Sequence, residues 1–482
     1  MKKYVSIFIM ITFIFSLTVN VFAAPNIPKD EDIRSKRMRI RETSGDFIVY
    51  DGKRIPTPLS YNQNETIFQF GEGVGGLKEP EQIFIDEEDK LYIVDSGNNR
   101  IIKLDRFRNV EGIYTGPDDK PFKTPKGIFV DSDGSMFIAD TGNSRIVHLG
   151  NNGEYVEEFI KPNSQLIEEA TFEPVRIAVN HTGLIYVLNQ ANFRGFMVID
   201  GYNEFRGYVA ATTTEFDLMT VIWRKFGTEE QKRQIAQSAA PPYSSFVIDD
   251  SGIIYATTVM VLENQIVKLN SVGENIYKPQ AYGGQEQPNF VDISVNKYGI
   301  ISVLDSVTRR VYQYDQQGNM VTSFGGKGNW NGKFERPVSF DQASQGNIYV
   351  LDGYLNQIQV FEPTNFIKLV QEATKLHLDG EYEKAMDLWE EVMKIDSTYQ
   401  LAFRGMAKTY TKREQWKEAI KYYKLGNDKE GYTIAFAQYR HQLFRDYFGW
   451  ILLVILGIIV FIVWLGKLIR EYANYQIDNI KI

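Results

Sequence analysis

Short apolar segments alternate with turn residues through the middle of the chain. The first set is Ile83-Phe-Ile, Leu91-Tyr-Ile-Val and Ile101-Ile-Lys-Leu. The second set, 45 residues later, is Ile128-Phe-Val, Met136-Phe-Ile-Ala and Ile146-Val-His-Leu. Segments of this length, rich in β-branched and aromatic residues, predict strands. Self-similarity at this period predicts one supersecondary unit that is used several times.

Six copies of the unit align on the residue that ends the first strand. These strand-end residues are Asp86, Asp131, Asn180, Asp249, Asn296 and Ala343. Three residues later stands Asp89 in the first copy and glycine in the others, where a tight hairpin turn needs positive φ. Nine residues later come Asp95, Asp140, Asn189, Thr258, Asp305 and Asp352, and fourteen later come Arg100, Arg145, Arg194, Glu263, Arg310 and Gln357.

Four strands per unit predict an all-β, six-bladed propeller. The sixth copy has no fourth strand of its own, because the chain becomes helical after residue 362. The segment Thr66 to Phe70 resembles the fourth strand Val321 to Phe324. We therefore expect residues 66–70 to complete the sixth blade, which closes the ring and removes exposed sheet edges.

From residue 366 the apolar period is helical. Ala373 and Ala385 recur 34 residues later as Ala407 and Ala419, and the aromatic positions around them recur as well. Such a period predicts paired helices in a short stack. A third helix, at about 431–447, would run directly into the next segment.

Two apolar segments bracket the chain. Lys2 and Lys3 precede an apolar run that ends in Val21-Phe22-Ala23, the pattern of a secretory signal peptide. Residues 447–466 carry no charge, match the thickness of a bilayer and end near Trp464 and Lys467, as a membrane helix does. We therefore expect a cell-membrane protein with one span, a large extracytoplasmic domain and a short cytoplasmic tail.

These patterns give a domain plan. It comprises a signal peptide at 1–23, a leader or arm at 24–64, the propeller at 65–362 with an insertion at about 210–240, a helical module at 366–446, a transmembrane helix at 447–466 and a tail at 467–482.

The repeat residues resemble the NHL-repeat family of β-propellers, and the helical module resembles tetratricopeptide repeats. The first resemblance implies that the recurrent Asp and Arg hold the blades together as pairs between neighbouring strands. The residues concerned are Asp95, Arg100, Asp140, Arg145, Asp305 and Arg310. The alternative is that some of them line the face that binds ligands.

The amino-acid composition excludes several classes of function. The chain has no cysteine, which excludes disulfides, thiol nucleophiles and cysteine zinc sites. Its net charge is −8, and an acidic protein is a poor nucleic-acid binder. We expect a membrane-anchored binding or scaffold protein whose propeller face binds a carbohydrate, a peptide or an envelope protein. The candidate ligand-face residues are Arg176, Asn189, Arg194, Tyr243 and Trp330.

The helical module offers a second candidate surface. Tetratricopeptide stacks hold peptides in a concave groove, and the resemblance places His377, Arg404, Lys408 and Lys412 there. These residues would suit an acidic peptide. The alternative is that two repeats are too few for a groove and serve as a spacer.

An enzymatic function is the other alternative. Related propellers include lyases with histidine-bound zinc, but the propeller of this chain contains only His148 and His181. Lactonase-like propellers bind a divalent ion through channel carboxylates, and Asp and Asn are abundant here. We predict no cofactor and no catalytic residue, and a divalent ion in the channel is the open alternative.

Overall fold

The computed structural model describes residues 45–50, 52–71, 73–167, 171–190, 194–210, 243–259, 261–284 and 286–480. The chain divides into two compact units. One runs from Ile33 to Thr398 and contains the strands and the first two helices, and the other contains Tyr399–Ile482. The predicted signal peptide at 1–23 and nearly all of the insertion at 210–240 lie outside the described residues.

The first three strands precede the repeats. β1 (Phe47–Tyr50) and β2 (Lys53–Pro56) form an antiparallel hairpin, and β3 (Tyr61–Ile67) follows. Phe47 of the hairpin is buried against the fifth blade, where its carbonyl accepts a hydrogen bond from Ser323 Oγ at 3.0 Å. The segment predicted as a leader at 24–64 therefore contains ordered strands that pack on the propeller.

Four-stranded antiparallel sheets make up the first three blades, with the strands of each blade in sequence order. The first blade contains β4 (Gln82–Ile85), β5 (Leu91–Asp95), β6 (Arg100–Leu104) and β7 (Val110–Tyr114). The second contains β8 (Gly127–Val130), β9 (Met136–Asp140), β10 (Arg145–Leu149) and β11 (Tyr155–Ile160). The third contains β12 (Pro174–Val179), β13 (Ile185–Asn189), β14 (Phe196–Ile199) and β15 (Phe205–Val209).

The last three blades complete the series. The fourth contains three described strands, β16 (Tyr243–Ile248), β17 (Ile254–Thr258) and β18 (Ile266–Leu269). The fifth contains β19 (Phe290–Val295), β20 (Ile301–Asp305), β21 (Arg310–Tyr314) and β22 (Met320–Gly325). The sixth contains β23 (Pro337–Gln342), β24 (Ile348–Asp352), β25 (Gln357–Pro363) and, as its outer strand, β3.

The ring closes through the N-terminal strand, as the sequence predicts. β3 pairs antiparallel with β25, from Ile67 opposite Ile358 to Tyr61 opposite Pro363. The first strands of successive blades contact one another in the order β4, β8, β12, β16, β19 and β23, and β23 contacts β4. The six-bladed propeller is thus confirmed, and its closing strand is Tyr61–Ile67 instead of 66–70.

Turn chemistry and interblade packing explain why the repeat folds in this way. The hairpin turn between the first two strands has positive φ in all six copies, from 63° at Asp89 to 93° at Gly346. The apolar residues of each sheet then pack against the next sheet. Ile93 and Ile102 of the first blade, for example, share a buried cluster with Leu351 and Ile358 of the sixth.

Two helices follow the propeller within the same unit. α1 (Asn365–Leu378) and α2 (Tyr382–Ile395) pack on each other with Ala373 and Ala385 fully buried. Gln371 of α1 donates a hydrogen bond to the Tyr61 hydroxyl at 2.9 Å, and that hydroxyl also accepts from Gln313 Nε2 at 3.0 Å. A buried polar network therefore joins α1, the closing strand and the fifth blade.

The second unit contains three described helices, α3 (Gln400–Lys412), α4 (Trp416–Leu425) and α5 (Lys429–Ile480). Ala407 and Ala419 are fully buried where α3 meets α4. α5 is continuous from the third predicted helix into the apolar segment. Within the described residues it is the one helix long and apolar enough to cross a membrane, and its most apolar window has mean hydropathy 3.0.

Candidate ligand-binding face and channel wall

The recurrent Asp and Arg of the first blade form a closed network. The two oxygens of Asp95 accept from Lys78 N at 2.7 Å and from Arg100 Nε at 2.7 Å. Asn98 Nδ2 adds a third hydrogen bond at 2.8 Å. Asp95 therefore ties the end of β5 to the segment that precedes β4.

The second blade repeats this network with a more deeply buried arginine. Arg145 Nε donates to Asp140 at 2.7 Å, and Arg145 Nη1 donates to Glu158 at 2.6 Å. Its side chain is 1% exposed, against 14% for Arg100. The hydrogen bond from Arg145 holds the pKa of Glu158 below its usual range. Arg145 therefore satisfies its hydrogen-bonding groups within the propeller.

The fifth blade departs from the expected pairing. Asp305 accepts from Asn289 N at 2.8 Å and from the Thr308 hydroxyl at 2.5 Å. Arg310 instead donates to the carbonyl of Gly45 at 3.0 Å and lies 4.8 Å from the centre of the Phe47 ring. The expectation of an Asp305–Arg310 pair is therefore corrected, because Thr308 satisfies the carboxylate and the N-terminal arm provides another partner for the arginine.

Buried carboxylates lie on the inner strands of the fifth and sixth blades, at Asp292 and Asp341. Asp292 accepts from Ser245 Oγ at 2.7 Å, from Ser339 Oγ at 2.7 Å and from Phe340 N at 3.0 Å. One carboxylate thus links three successive blades.

Asp341, on the inner strand of the sixth blade, has an equivalent role. It accepts from Ile85 N at 2.8 Å and from Ser294 Oγ at 3.0 Å, which joins the fifth, sixth and first blades. Burial raises its pKa to about 6. Within the part of the chain that the structure describes, no group of three or more His, Asp or Glu side chains is arranged to hold a metal ion. The prediction of no cofactor, with a divalent ion in the channel as its alternative, stays a prediction.

Aromatic residues and one arginine occupy the rest of the wall. Phe84 and Phe129 pack edge to face at 5.8 Å between the first and second blades. Arg176 on the third inner strand is 9% exposed, and its Nη1 donates to the carbonyls of Lys126 at 3.0 Å and Val175 at 2.9 Å. Its Nε is buried without a hydrogen-bond partner among the described residues.

Asn189 lies opposite Pro174 in the β12–β13 ladder, in which Arg176 lies opposite Leu188. It stands where four other copies have the structural Asp, and it is 3% exposed. Its Oδ1 is buried and has no partner within the described ranges. The third blade therefore contains two buried polar atoms with unused hydrogen-bonding capacity, Arg176 Nε and Asn189 Oδ1.

The structure does not bring the remaining face candidates together with this pair. Tyr243 begins the fourth blade, where it packs on Phe196 at 4.6 Å, and burial raises its pKa to about 12. Arg194 is exposed just before β14. Trp330 is 61% exposed in the segment between β22 and β23. Tyr243 is thus a core residue, whereas Arg194 and Trp330 lie on the surface of different blades.

The helical candidates fall in two units. His377 lies on α1, where its ring is 4.9 Å from that of Tyr382. Arg404, Lys408 and Lys412 lie on α3, and Arg404 Nε donates to the carbonyl of Gly426 at 2.9 Å. The peptide groove stays a prediction.

Sequence reasoning missed Asp292 and Asp341. They stand four and two residues before their strand-end residues, at positions where the first two copies have Gln82, Gly127, Phe84 and Phe129. The signal in the sequence was an Asp at an inner-strand position where the first two copies have uncharged residues. The hydrogen-bond partners of each Asp, however, come from adjacent blades.

Comparison with known proteins finds weak likenesses to solved structures. No family model and no curated protein matches the chain. Similar solved structures include a streptogramin B lyase, at 14% identity and TM-score 0.38 over 58% of this chain and 78% of that one. A catalytically inactive virginiamycin B lyase from Staphylococcus aureus with quinupristin has 11% identity and TM-score 0.40 over 66% of this chain and 87% of that one.

The extracellular domain of a putative one-component system from B. thetaiotaomicron is also similar, at 15% identity and TM-score 0.36 over 61% of this chain and 35% of that one. Likenesses of this size carry no argument about activity. The described strands and helices themselves define the class: a six-bladed β-propeller followed by a helical region that ends in one long apolar helix. Membership of the NHL and tetratricopeptide families stays a prediction.

Proposed function

We propose that this protein is a membrane-anchored binding protein, and that its propeller binds the acidic group of a carbohydrate, a peptide or an envelope protein at Arg176. The observation that supports the proposal is the environment of this guanidinium. It is buried, it donates to two backbone carbonyls, and no carboxylate lies within ion-pair distance of it in the described ranges.

The physical reason is the cost of an uncompensated buried charge. Backbone carbonyls satisfy hydrogen bonds but do not neutralise a cation, and buried charges are normally paired. Arg145 in the neighbouring blade is such a normal case, because it contacts two carboxylates. A ligand carboxylate or phosphate would supply the missing charge to Arg176 and would suit the fork of donors on its guanidinium.

The C-terminal helix supports the anchoring. Its uncharged segment at 447–466 would span about 30 Å at 1.5 Å per residue, which is the thickness of a bilayer core. Lys467 and Arg470 follow the span directly, and such residues favour the cytoplasmic side. In this proposal the propeller is therefore outside the cytoplasm and the tail is inside.

Binding of defined acidic probes to the full-length protein in detergent tests the proposal. The probes are oligogalacturonate and a pentaglutamate peptide, with a neutral cello-oligosaccharide for comparison. We expect saturable binding of an acidic probe and at least tenfold weaker binding by Arg176→Gln, because a charged hydrogen bond contributes about 1.5–3 kcal/mol.

Arg206→Gln is the matched control. Arg206 lies at the opposite end of the same blade and pairs with Asp200. This variant should bind like the unaltered protein. Equal affinity of Arg176→Gln, or no preference for acidic over neutral probes, would contradict the proposal. Ion-dependent turnover of a lactone by the purified protein would favour the enzymatic alternative instead.

A further inference from the structure

Arg310 of the fifth blade does not form the ion pair that the equivalent arginines of the first two blades form with their aspartates. In those blades an asparagine three residues after the Asp shares one carboxylate oxygen with the arginine, as Asn143 and Arg145 do on Asp140. Thr308 replaces this asparagine in the fifth blade and donates to Asp305 through both its hydroxyl and its backbone amide. Arg310 is thus free to point away from its own blade.

Arg310 and Lys333 place their cationic groups close together beside the N-terminal arm. An ideal Cβ built on Gly326 would lie 3.1 Å from Lys333 Nζ and 3.5 Å from Arg310 Nη2. A Cβ on Gly45 would lie 3.8 Å and 4.0 Å from the same two atoms. Lys333 Nζ and Arg310 Nη2 therefore lie close to each other beside these two glycines, and both side chains are partly exposed.

No acidic side chain forms an ion pair with either of these cations among the described residues. Among the described residues, neither Arg310 nor Lys333 has a carboxylate within ion-pair distance, whereas the adjacent Arg309 pairs with Glu335 at 3.1 Å. Arg54 adds a third cation, 4.7 Å from the centre of the Phe47 ring that Arg310 also covers.

The negative charge of Asp46 acts on both cations, but this carboxylate is itself buried. Asp46 Oδ2 accepts from Ser60 N at 2.7 Å, inside the fold. Burial lowers the pKa of both Arg310 and Lys333, and the positive charge of Arg310 lowers that of Lys333 further. The negative charge of Asp46 acts in the opposite direction on both pKa values, so the two cations are compensated in part.

We propose that Arg310 and Lys333 together bind a compact oxyanion, of which a phosphate group is the best fit. A phosphate oxygen accepts hydrogen bonds from several directions, so that an ammonium and a guanidinium can donate to it from two sides. The bound charge would also offset the repulsion between the two cations. This site lies in the fifth blade and is independent of the ligand site proposed at Arg176.

Calorimetric titration of the full-length protein in a neutral detergent tests the site. The probes are inorganic phosphate, glycerol 3-phosphate as a phosphate on an organic carrier, and acetate, all at constant ionic strength. We expect saturable binding of both phosphates, weaker binding of acetate, and at least a tenfold loss of phosphate affinity in Arg310→Gln and in Lys333→Gln. Preference for glycerol 3-phosphate would indicate a carried phosphate as the natural ligand, and preference for inorganic phosphate would indicate the free ion.

Two further variants make the test specific. Arg309→Gln removes a neighbouring arginine that is already paired, and its phosphate affinity should stay within twofold of that of the unaltered protein. Thr308→Asn restores the asparagine of the first two blades without removing a cation, and it should weaken phosphate binding by drawing Arg310 back to Asp305.

Circular dichroism identifies variants that fail to fold. If Arg310→Gln does not fold, the phosphate affinities of Lys333→Gln and Thr308→Asn test the proposal instead. The proposal is overturned if the folded protein shows no saturable phosphate binding, or if folded Lys333→Gln and Thr308→Asn bind phosphate as well as the unaltered protein does. Loss of acidic-probe binding in Arg176→Gln with phosphate binding intact would keep the two sites distinct.

Discussion

The second and fifth blades carry the same Asp and Arg positions but use them differently. Arg145 is buried between Asp140 and Glu158, whereas Arg310 leaves Asp305 and contacts the N-terminal arm. One neighbouring residue, Asn143 or Thr308, separates the two arrangements. A residue that recurs in several repeats therefore forms the same ion pair only where its local partners also recur.

Burial adds a second difference between the two blades. The side chain of Arg145 is 1% exposed, so removing it leaves the fully buried carboxylate of Asp140 without its cationic partner. Arg310 is only partly buried and makes one hydrogen bond to a carbonyl. We expect the second blade to depend on its arginine for stability and the fifth blade to be largely indifferent to it.

The largest expected effect is that of Arg145→Gln. Breaking a buried ion pair by removing one partner costs about 3–5 kcal/mol, and we expect a loss of that size in the free energy of unfolding. Urea denaturation followed by far-ultraviolet circular dichroism measures it. Arg206→Gln, at an exposed pair, should leave the unfolding midpoint unchanged. A loss below about 1 kcal/mol in Arg145→Gln would contradict the comparison.

Asp46→Asn should stabilise the fold at neutral pH. Asp46 lies in the N-terminal arm, directly before β1. Burial raises the pKa of Asp46 to about 6, so the ionised form destabilises the fold. This penalty is absent below the unfolded pKa and grows as pH rises through about 6. We expect a gain on the order of 1–3 kcal/mol at pH 7 and no gain at a pH below the unfolded pKa.

Urea unfolding at the two pH values provides this measurement. Glu158→Gln in the second blade is the opposite case, because the low pKa of Glu158 means that its contribution is present at neutral pH and is lost as pH falls. The same sign of pH dependence for both variants would contradict the assignment.

Asn143→Thr tests which neighbour holds the arginine in the second blade. The change removes one hydrogen bond to Asp140, and such a bond contributes about 0.5–1.5 kcal/mol. We expect Arg145 to stay in place because Glu158 also holds it. A double-mutant cycle with Glu158→Gln should show coupling, and simple additivity would indicate that Glu158 does not hold the arginine.

Arg310→Gln should have the smallest effect on stability. The variant loses one hydrogen bond to Gly45 and one cation–π contact with Phe47, which together contribute about 1 kcal/mol or less near the surface. Urea unfolding without phosphate measures it. A loss as large as that of Arg145→Gln would show that the two blades do not differ in the proposed way.

The closing strand shows how far sequence patterns reach. Its existence follows from the missing strand of the sixth copy, but the segment predicted for it begins five residues too late. Residues Tyr61–Ile67 read YNQNETI and lack an apolar alternation. Their partners explain this, because β3 pairs on one side only and Tyr61 faces the polar Gln313 and Gln371.

The helical region shows a similar division. The 34-residue recurrence predicts the paired helices, and the alanines it places at their contacts are fully buried. The recurrence does not reveal that α1 and α2 belong to the propeller unit while α3 and α4 belong to the other. Periodicity reports local packing faces, whereas the boundary of a unit depends on contacts with distant segments.

The sequence by itself determined the six blades, their turns, the need for an N-terminal closing strand and the apolar C-terminal helix. The hydrophobic period, the turn residues and the segment length are local properties, because each depends on residues that are close together in the sequence. The tertiary structure alone decided which polar groups remain available. Arg310 meets a carbonyl 265 residues away, and Asp292 meets hydroxyls 47 residues away on either side. Charged groups pair with whichever partner the fold brings closest, and that competition is settled only when distant segments meet.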